Sequence, residues 1–312
     1  MGDPVRVGVF GAGVMGSHHA RIIRSTPGVA LTAVVDHHSE RARRAAGDCG
    51  ATISDRIEDV LGIIDLAVVA LPTERHADVV IRLAAAGCHL LVEKPVAPTV
   101  DAAMSVVEAA GRAGVVLAVG HVERFNPAFD AVLRTTRRPT EVIAMRSGPA
   151  HTRIADGVVM DLMIHDLDLL AAVAQPGADL LEVSGFAGRG VACARLLLSD
   201  GLRASLRVTL GGSVRSRWFQ VTDADGHLVA DLVGATADRF GWDHGPVHRL
   251  AVSPGDALRR QLLDVVEAIG TGRPPRVGGH DGVRAVAWAH AVGQSLEGRA
   301  DDSVSARMEC LW

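Results

Sequence analysis

The feature that most constrains this chain is its first 36 residues. Val5-Arg6-Val7-Gly8-Val9-Phe10 is a β-branched run, Gly11-Ala12-Gly13-Val14-Met15-Gly16 follows at once, and Leu31–Val35 ends in Asp36. A buried strand that feeds straight into a glycine turn and a helix is the opening of a βαβ unit, because parallel strands need a crossover between them. The alternation continues. His18–Ser25 reads as a helix stopping near Pro27-Gly28, and Ser39–Cys49 as a second helix. Leu66–Ala70 is a strand closed by Leu71-Pro72-Thr73, and Ala77–Ala86 is a helix stopped by Gly87. His89–Val92 and Val115–Val119 read as strands on either side of a helix at Val100–Ala113. This order predicts an α/β domain over residues 1–122, a doubly wound parallel sheet with helices on both faces.

Beyond residue 122 the texture changes. Phe129–Thr135 reads as helical, Glu141–Arg146 as extended and Gly157–Ala174 as a long apolar helix. Five extended runs follow: Leu181–Phe186, Val191–Leu198, Arg203–Leu210, Trp218–Asp223 and Leu228–Asp231. Asp200-Gly201 and Asp225-Gly226 sit between runs as hairpin signals. The expectation is a second, α+β domain over 123–312 with a large open, mostly antiparallel sheet. Ala257–Ile269 and Gly282–Leu296 are closing helices and candidates to pack back on the first domain. An open sheet has one face to spare, and a free apolar face is a natural subunit interface, so a homodimer or homotetramer through this sheet is expected.

Composition narrows the function classes. With 312 residues, 48% apolar and 22% charged, the chain is globular and comfortable for two cores. A net charge of −4 and scattered arginines give no reason to expect a nucleic-acid partner. No stretch approaches the ~20 apolar residues of a membrane span, and no basic segment precedes an apolar one at the start, so no secretory signal is expected. Cys49, Cys88, Cys193 and Cys310 are far apart and form no CxxC; no metal site is expected, and a reducing cytoplasm is the natural compartment. Tyrosine is absent, so no tyrosine serves as acid or base.

The glycine turn has the context a dinucleotide site requires: strand before, helix after, an acidic residue about 20 positions on. Gly11 allows the turn, Gly13 lets a pyrophosphate approach the backbone, and Gly16 lets helix and strand pack closely. The phosphates would sit on the helix N-terminus at Val14 and Met15. Asp36 would accept both ribose hydroxyls and repel a 2′-phosphate, so NAD is expected over NADP. His37 and His38 beside it soften that preference. The competing reading is a structural turn followed by a solvated aspartate.

A second signal is Lys94, after His89-Leu90-Leu91-Val92-Glu93 and before Pro95, at the end of a buried strand where a nicotinamide ring would lie. A third is Asp161 and His165, four apart and therefore on one face of a helix. Oxidising a secondary alcohol requires a base for the hydroxyl proton and a frame that holds the carbon near the nicotinamide. His165 is taken as the base, oriented by Asp161, with Lys94 donating to the reacting oxygen. Lys94 as the base itself is the open alternative. Asp168 falls on the His165 face, and Asp166 points about 100° away. An Asp/His pair in an apolar helix is also a common packed hydrogen bond. Arg124 and Asn126 are candidate substrate contacts, with an ion pair and a turn as their structural readings. Glu93 is read as supporting its turn and His121 as structural. Trp218, Trp242 and Trp288 are read as core or interface.

With Glu93-Lys94-Pro95 in place, the chain resembles the Gfo/Idh/MocA family of sugar and cyclitol oxidoreductases over most of its length. Leu71-Pro72-Thr73 and His76 resemble that family's loop beside the cofactor. Val92-Glu93-Lys94-Pro95 resembles its EKP signature, and Asp161 to His165 its DxxxH element. The resemblance implies cofactor contacts from Leu71, Pro72, Thr73, His76, Glu93 and Lys94, and substrate contacts from Lys94, Asp161 and His165. Gly120-His121-Val122-Glu123-Arg124-Phe125-Asn126-Pro127 is similar to a stretch of the branch holding UDP-N-acetylglucosamine 3-dehydrogenases. That implies oxidation of a ring secondary hydroxyl, at C3, of a sugar or nucleotide sugar. The alternatives are a dehydrogenase or ketone reductase for an inositol, aminocyclitol, free sugar or sugar phosphate, and a non-catalytic NAD(P)-binding regulator.

Overall fold

The computed structural model describes residues 3–149, 157–188, 190–212, 214–243 and 245–296. The chain forms two compact units, one from residues 1–122 and 256–286, the other from 123–255 and the chain after 286. The second domain expected at 123–312 is thus interrupted by a segment that belongs to the first.

In the first unit the strands are β1 (Val5–Phe10), β2 (Val29–Val35), β3 (Thr52–Ser54), β4 (Leu66–Val69), β5 (His89–Val92) and β6 (Leu117–Val119). The helices between them are α1 (Val14–Arg24), α2 (Ser39–Ala46), α3 (His76–Ala85) and α4 (Val100–Ala113). The strands pair in parallel in the order β3-β2-β1-β4-β5-β6. The order reverses beside β1, and ligands of such sheets bind outside the strand ends at that switch point. The alternation therefore reads correctly from the sequence. β3 escapes it because Thr52-Ile53-Ser54 is a three-residue edge strand with no apolar run. β1 and β4 are apolar on both faces because both are covered: the consecutive residues Val9 and Phe10, and Val68 and Val69, point to opposite faces and all are buried.

The second unit begins with α5 (Pro127–Thr135) and β7 (Glu141–Gly148). A π-helical turn at Val159–Met163 runs into α6 (Ile164–Val173), where a continuous α-helix was expected. Then come β8 (Leu180–Gly188), β9 (Val191–Leu198), β10 (Arg203–Leu210), β11 (Ser216–Asp223), β12 (Gly226–Asp231), β13 (Thr236–Gly241) and β14 (His248–Arg249). The sheet order is β14-β13-β12-β11-β7-β10-β9-β8, antiparallel except for the parallel pair β7·β10. One face is buried under helices: Phe129 of α5 meets Phe219 of β11 edge to face, centroids 5.3 Å apart. The opposite face departs from the apolar surface expected. Met145 and Trp218 are about half exposed there. The strand register places Arg195, Arg203 and Arg207 on the β9–β10 side and Asp231 and Asp238 on the β12–β13 side. Alternation puts whatever is not core onto this face, and here that set mixes both signs along the sheet: Glu141 lies opposite Arg203, Glu182 lines the same side as Arg195, and Arg249 pairs with Asp238.

The last two helices are α7 (Ala257–Thr271) and α8 (Gly279–Leu296). α7 starts at an Asp256 cap that accepts from the Leu258 and Arg259 amides. Its Leu258, Leu262 and Val265 share one core cluster with Val9 and Ile23 of the first unit. Cys49 is exposed and Cys88 and Cys193 are buried free thiols; Cys310 lies outside the described residues.

Candidate active site

The glycine turn is shaped by backbone crowding on one side and open space on the other. Gly11 holds φ +94°, and a Cβ there would meet the Ala70 carbonyl oxygen at 2.5 Å. A Cβ on Gly16 would lie 1.7 Å from the Gly11 carbonyl oxygen, so helix and turn close only on glycine. Gly13 has nothing within 4 Å of where its Cβ would be. It precedes α1, whose first turn has no side-chain cap. Uncapped N–H groups, the positive end of the dipole and an open cradle fit a pyrophosphate. Val14 is 73% exposed at this mouth. Asp36, at the end of β2, is buried and fixed before any ligand arrives: Oδ2 accepts the Ala12 amide at 2.6 Å and Oδ1 the His38 amide at 2.8 Å. His37 Nδ1 lies 3.5 Å from Asp36 Oδ1, and the His37 and His38 rings stack at 3.9 Å.

Lys94 stands just past β5, half-buried. Glu93 before it is buried, and its Oε1 accepts from His19 Nε2 of α1 at 2.7 Å. His76, at the start of α3, bridges the two loops of the site: Nε2 lies 2.8 Å from the Leu71 carbonyl and Nδ1 2.9 Å from the Pro95 carbonyl. Burial pulls the His76 pKa below its ordinary value, against the two carbonyls and Glu93, which pull it up. The structure therefore brings Gly11, Gly13, Gly16, Asp36, Leu71, His76, Glu93 and Lys94 to the C-terminal end of the parallel strands. His19 was not singled out from the sequence. Its signal is spacing: Gly16, His19, Ala20 and Ile23 are the buried face of α1, three and four apart.

In the second unit, Asp161 lies in the π-helical turn and His165 at the start of α6, both half-buried. The expected four-residue register across one regular helix is therefore altered, because a π turn is wider than an α turn. Asp168, three residues beyond His165 on α6, is buried, and its Oδ2 accepts from Arg124 Nε at 2.9 Å. Arg124 thus makes the ion pair that was its structural reading. Asn126 makes the turn contacts of its structural reading. Its Oδ1 caps α5 through the Ala128 amide, and its Nδ2 donates to Glu123 Oε2 and the Leu232 carbonyl, so its amide is spent on the fold.

Around this pair lies a charge cluster that the sequence did not announce. Arg146 of β7 donates to Asp166 Oδ1 at 2.8 Å and to Glu123 Oε1 at 3.2 Å, all three buried. Arg217 of β11 reaches the same Glu123 oxygen at 2.5 Å. Burial pushes the Asp166 carboxyl up, opposed by the Arg146 charge and hydrogen bond. A signal was present: Val142, Ala144 and Arg146 alternate on the buried face of β7.

A Rossmann unit with a buried carboxylate at the end of its second strand and a lysine past its fifth is the frame of a dinucleotide-dependent redox protein. Residues 5–121 match the model of the oxidoreductase family with an NAD-binding Rossmann fold. The chain is 30% identical to inositol 2-dehydrogenase 2 of Paenarthrobacter aurescens, over 94% of this chain and 96% of that one. It is 28% identical to UDP-N-acetylglucosamine 3-dehydrogenase of Acidithiobacillus ferrooxidans, over 94% and 97%. The solved structure of that dehydrogenase superposes with a TM-score of 0.87, covering 94% of this chain and 98% of that one. The chain belongs to the Gfo/Idh/MocA family and is an NAD(P)-dependent oxidoreductase acting on CH–OH groups. Among the described residues no helix is long and apolar enough to cross a membrane.

Proposed function

We propose that this chain is an NAD-dependent dehydrogenase of a sugar or nucleotide sugar, acting in the cytoplasm on a ring secondary hydroxyl, at C3. The observation that carries the reading is the prepared C-terminal end of the parallel strands. An uncapped helix N-terminus and an open Gly13 face one end of a dinucleotide, and Lys94 marks the other. The likeness to a UDP-N-acetylglucosamine 3-dehydrogenase over nearly the whole of both chains supports the substrate class. When bound, the nicotinamide supplies the hydride acceptor. The chain's own work is to orient the alcohol and manage its proton. His165 takes the hydroxyl proton, Asp161 sets its imidazole, and Lys94 donates to the oxygen as alkoxide character develops.

NAD is favoured over NADP because Asp36 is a fixed carboxylate where a 2′-phosphate would have to lie. The open face of the second sheet packs on a second copy through the apolar surface it leaves exposed at Met145 and Trp218. Light scattering checks this: Met145→Asp with Trp218→Asp is expected to give a monomer, and an unchanged mass removes the interface.

Purified protein with NAD⁺, UDP-N-acetylglucosamine and a ketone trap is expected to form NADH, followed by absorbance. No NADH despite measurable NAD(H) binding overturns the nucleotide-sugar reading. The second reading is inositol oxidation, favoured by the 30% identical inositol 2-dehydrogenase. Turnover of myo-inositol alone in the same assay would establish it.

A further inference from the structure

Lys94 is the single lysine of the chain; every other member of the Lys and Arg total of 32 is an arginine. Arginines hold their protons at any ordinary pH, whereas a lysine gives its proton up readily when its surroundings disfavour charge. The only side-chain primary amine thus stands at the proposed reacting position, and its surroundings decide what it does there.

Those surroundings are built. His19, 1% exposed on α1, donates from Nε2 to Glu93 Oε1 at 2.7 Å. The other oxygen, Oε2, accepts the Lys94 backbone amide at 3.3 Å. From the far side, the end of β6 closes on the carboxylate: a Cβ on Gly120 would fall 2.9 Å from Glu93 Oε2. Pro95, following Lys94, is held through its carbonyl by His76 of α3. The titratable groups around the turn are therefore His19 from α1, His76 from α3, His121 after β6, and Glu93 itself.

Burial by itself drives a carboxyl toward its neutral form. Glu93 goes the other way: against that burial, the His19 hydrogen bond and charge and the Lys94 charge hold it below the usual carboxylate range. The attraction is mutual, so the carboxylate that the Lys94 ammonium favours favours the ammonium in turn. Removing the proton from Lys94 would strip a buried anion of a neighbouring positive charge.

We propose that His19 and Glu93 are a positioning pair that keeps Lys94 an ammonium during turnover, so that Lys94 donates a hydrogen bond and is not the base. This rests on the reading of Lys94 as the group at the reacting oxygen. The substrate hydroxyl proton then passes to the His165 imidazole, and Lys94 gives up none.

The single lysine makes the test direct. Protein grown with ε-¹³C-lysine carries one side-chain signal, absent in Lys94→Met, and its titration reads Lys94 alone without substrate or turnover. The expected midpoint in the wild type is at or above that of free lysine. Glu93→Gln is expected to lower it by about one pH unit or more, and His19→Phe to lower it less, since it acts through Glu93. A wild-type midpoint near neutrality, or identical midpoints in wild type and Glu93→Gln, overturns the proposal. The wild-type titration stands even if a variant fails to fold. A high midpoint in a protein that oxidises no sugar would remove the substrate reading and leave the positioning pair standing.

Discussion

The two units solve the problem of charge in opposite ways. In the first, polar groups at the strand ends are held but left facing outward: Asp36 is fixed by two amides, Lys94 is half-buried, and the start of α1 keeps its N–H groups unspent on any side-chain cap. In the second, the conspicuous charges consume one another. Glu123, Arg146 and Asp166 are buried together, and Arg124 closes on Asp168. The lesson is that charged residues in a motif-like stretch divide into those that await a ligand and those that hold a fold, and only their partners tell them apart.

That contrast can be broken by substitution. Lys94→Met is expected to cut kcat by about 10²–10³-fold, the loss of a preorganised donor, with the melting temperature little changed. A cooperative loss of stability would instead place Lys94 with the structural charges. Arg146→Met leaves Glu123 and Asp166 without their shared cation and is expected to cost about 3–5 kcal/mol in urea unfolding. A cost below about 1 kcal/mol would mean the cluster is far better solvated than its burial implies.

Asp36→Ser sharpens the first half of the comparison. It is expected to move the NADPH-to-NADH affinity ratio by about tenfold or more toward NADPH, because a like charge is removed; fluorescence titration measures it, and an unchanged ratio would detach Asp36 from cofactor choice. The smallest effect on activity is expected from Asn126→Ala, which costs about 2–3 kcal/mol of stability for a lost cap and two lost buried hydrogen bonds, with KM for substrate unmoved. A large rise in KM would return Asn126 to the substrate site.

The dinucleotide end was legible because its logic is local. Gly11, Gly13 and Gly16 carry their meaning in spacing along one turn, and Asp36 follows from the end of the next strand. The second unit was legible only as alternation. β13 was missed because Thr236-Ala237-Asp238-Arg239-Phe240-Gly241 is a polar strand near the sheet's edge with Ala237 its one buried residue. The fold contacts of Arg124 and Asn126 were not legible for a related reason. Their partners, Asp168 and Leu232, lie 44 and 106 positions away, and no local pattern joins them.

What the chain determined by itself was the parallel sheet, the turn that opens it and the lysine past its fifth strand, since strand periodicity and glycine sterics act over a few residues. Tertiary structure alone decided that His19 would grip Glu93 and that Arg146 would serve two acids. Each of these joins side chains distant in the chain and is made worthwhile only by burial, which strengthens a satisfied charge pair and penalises a lone one.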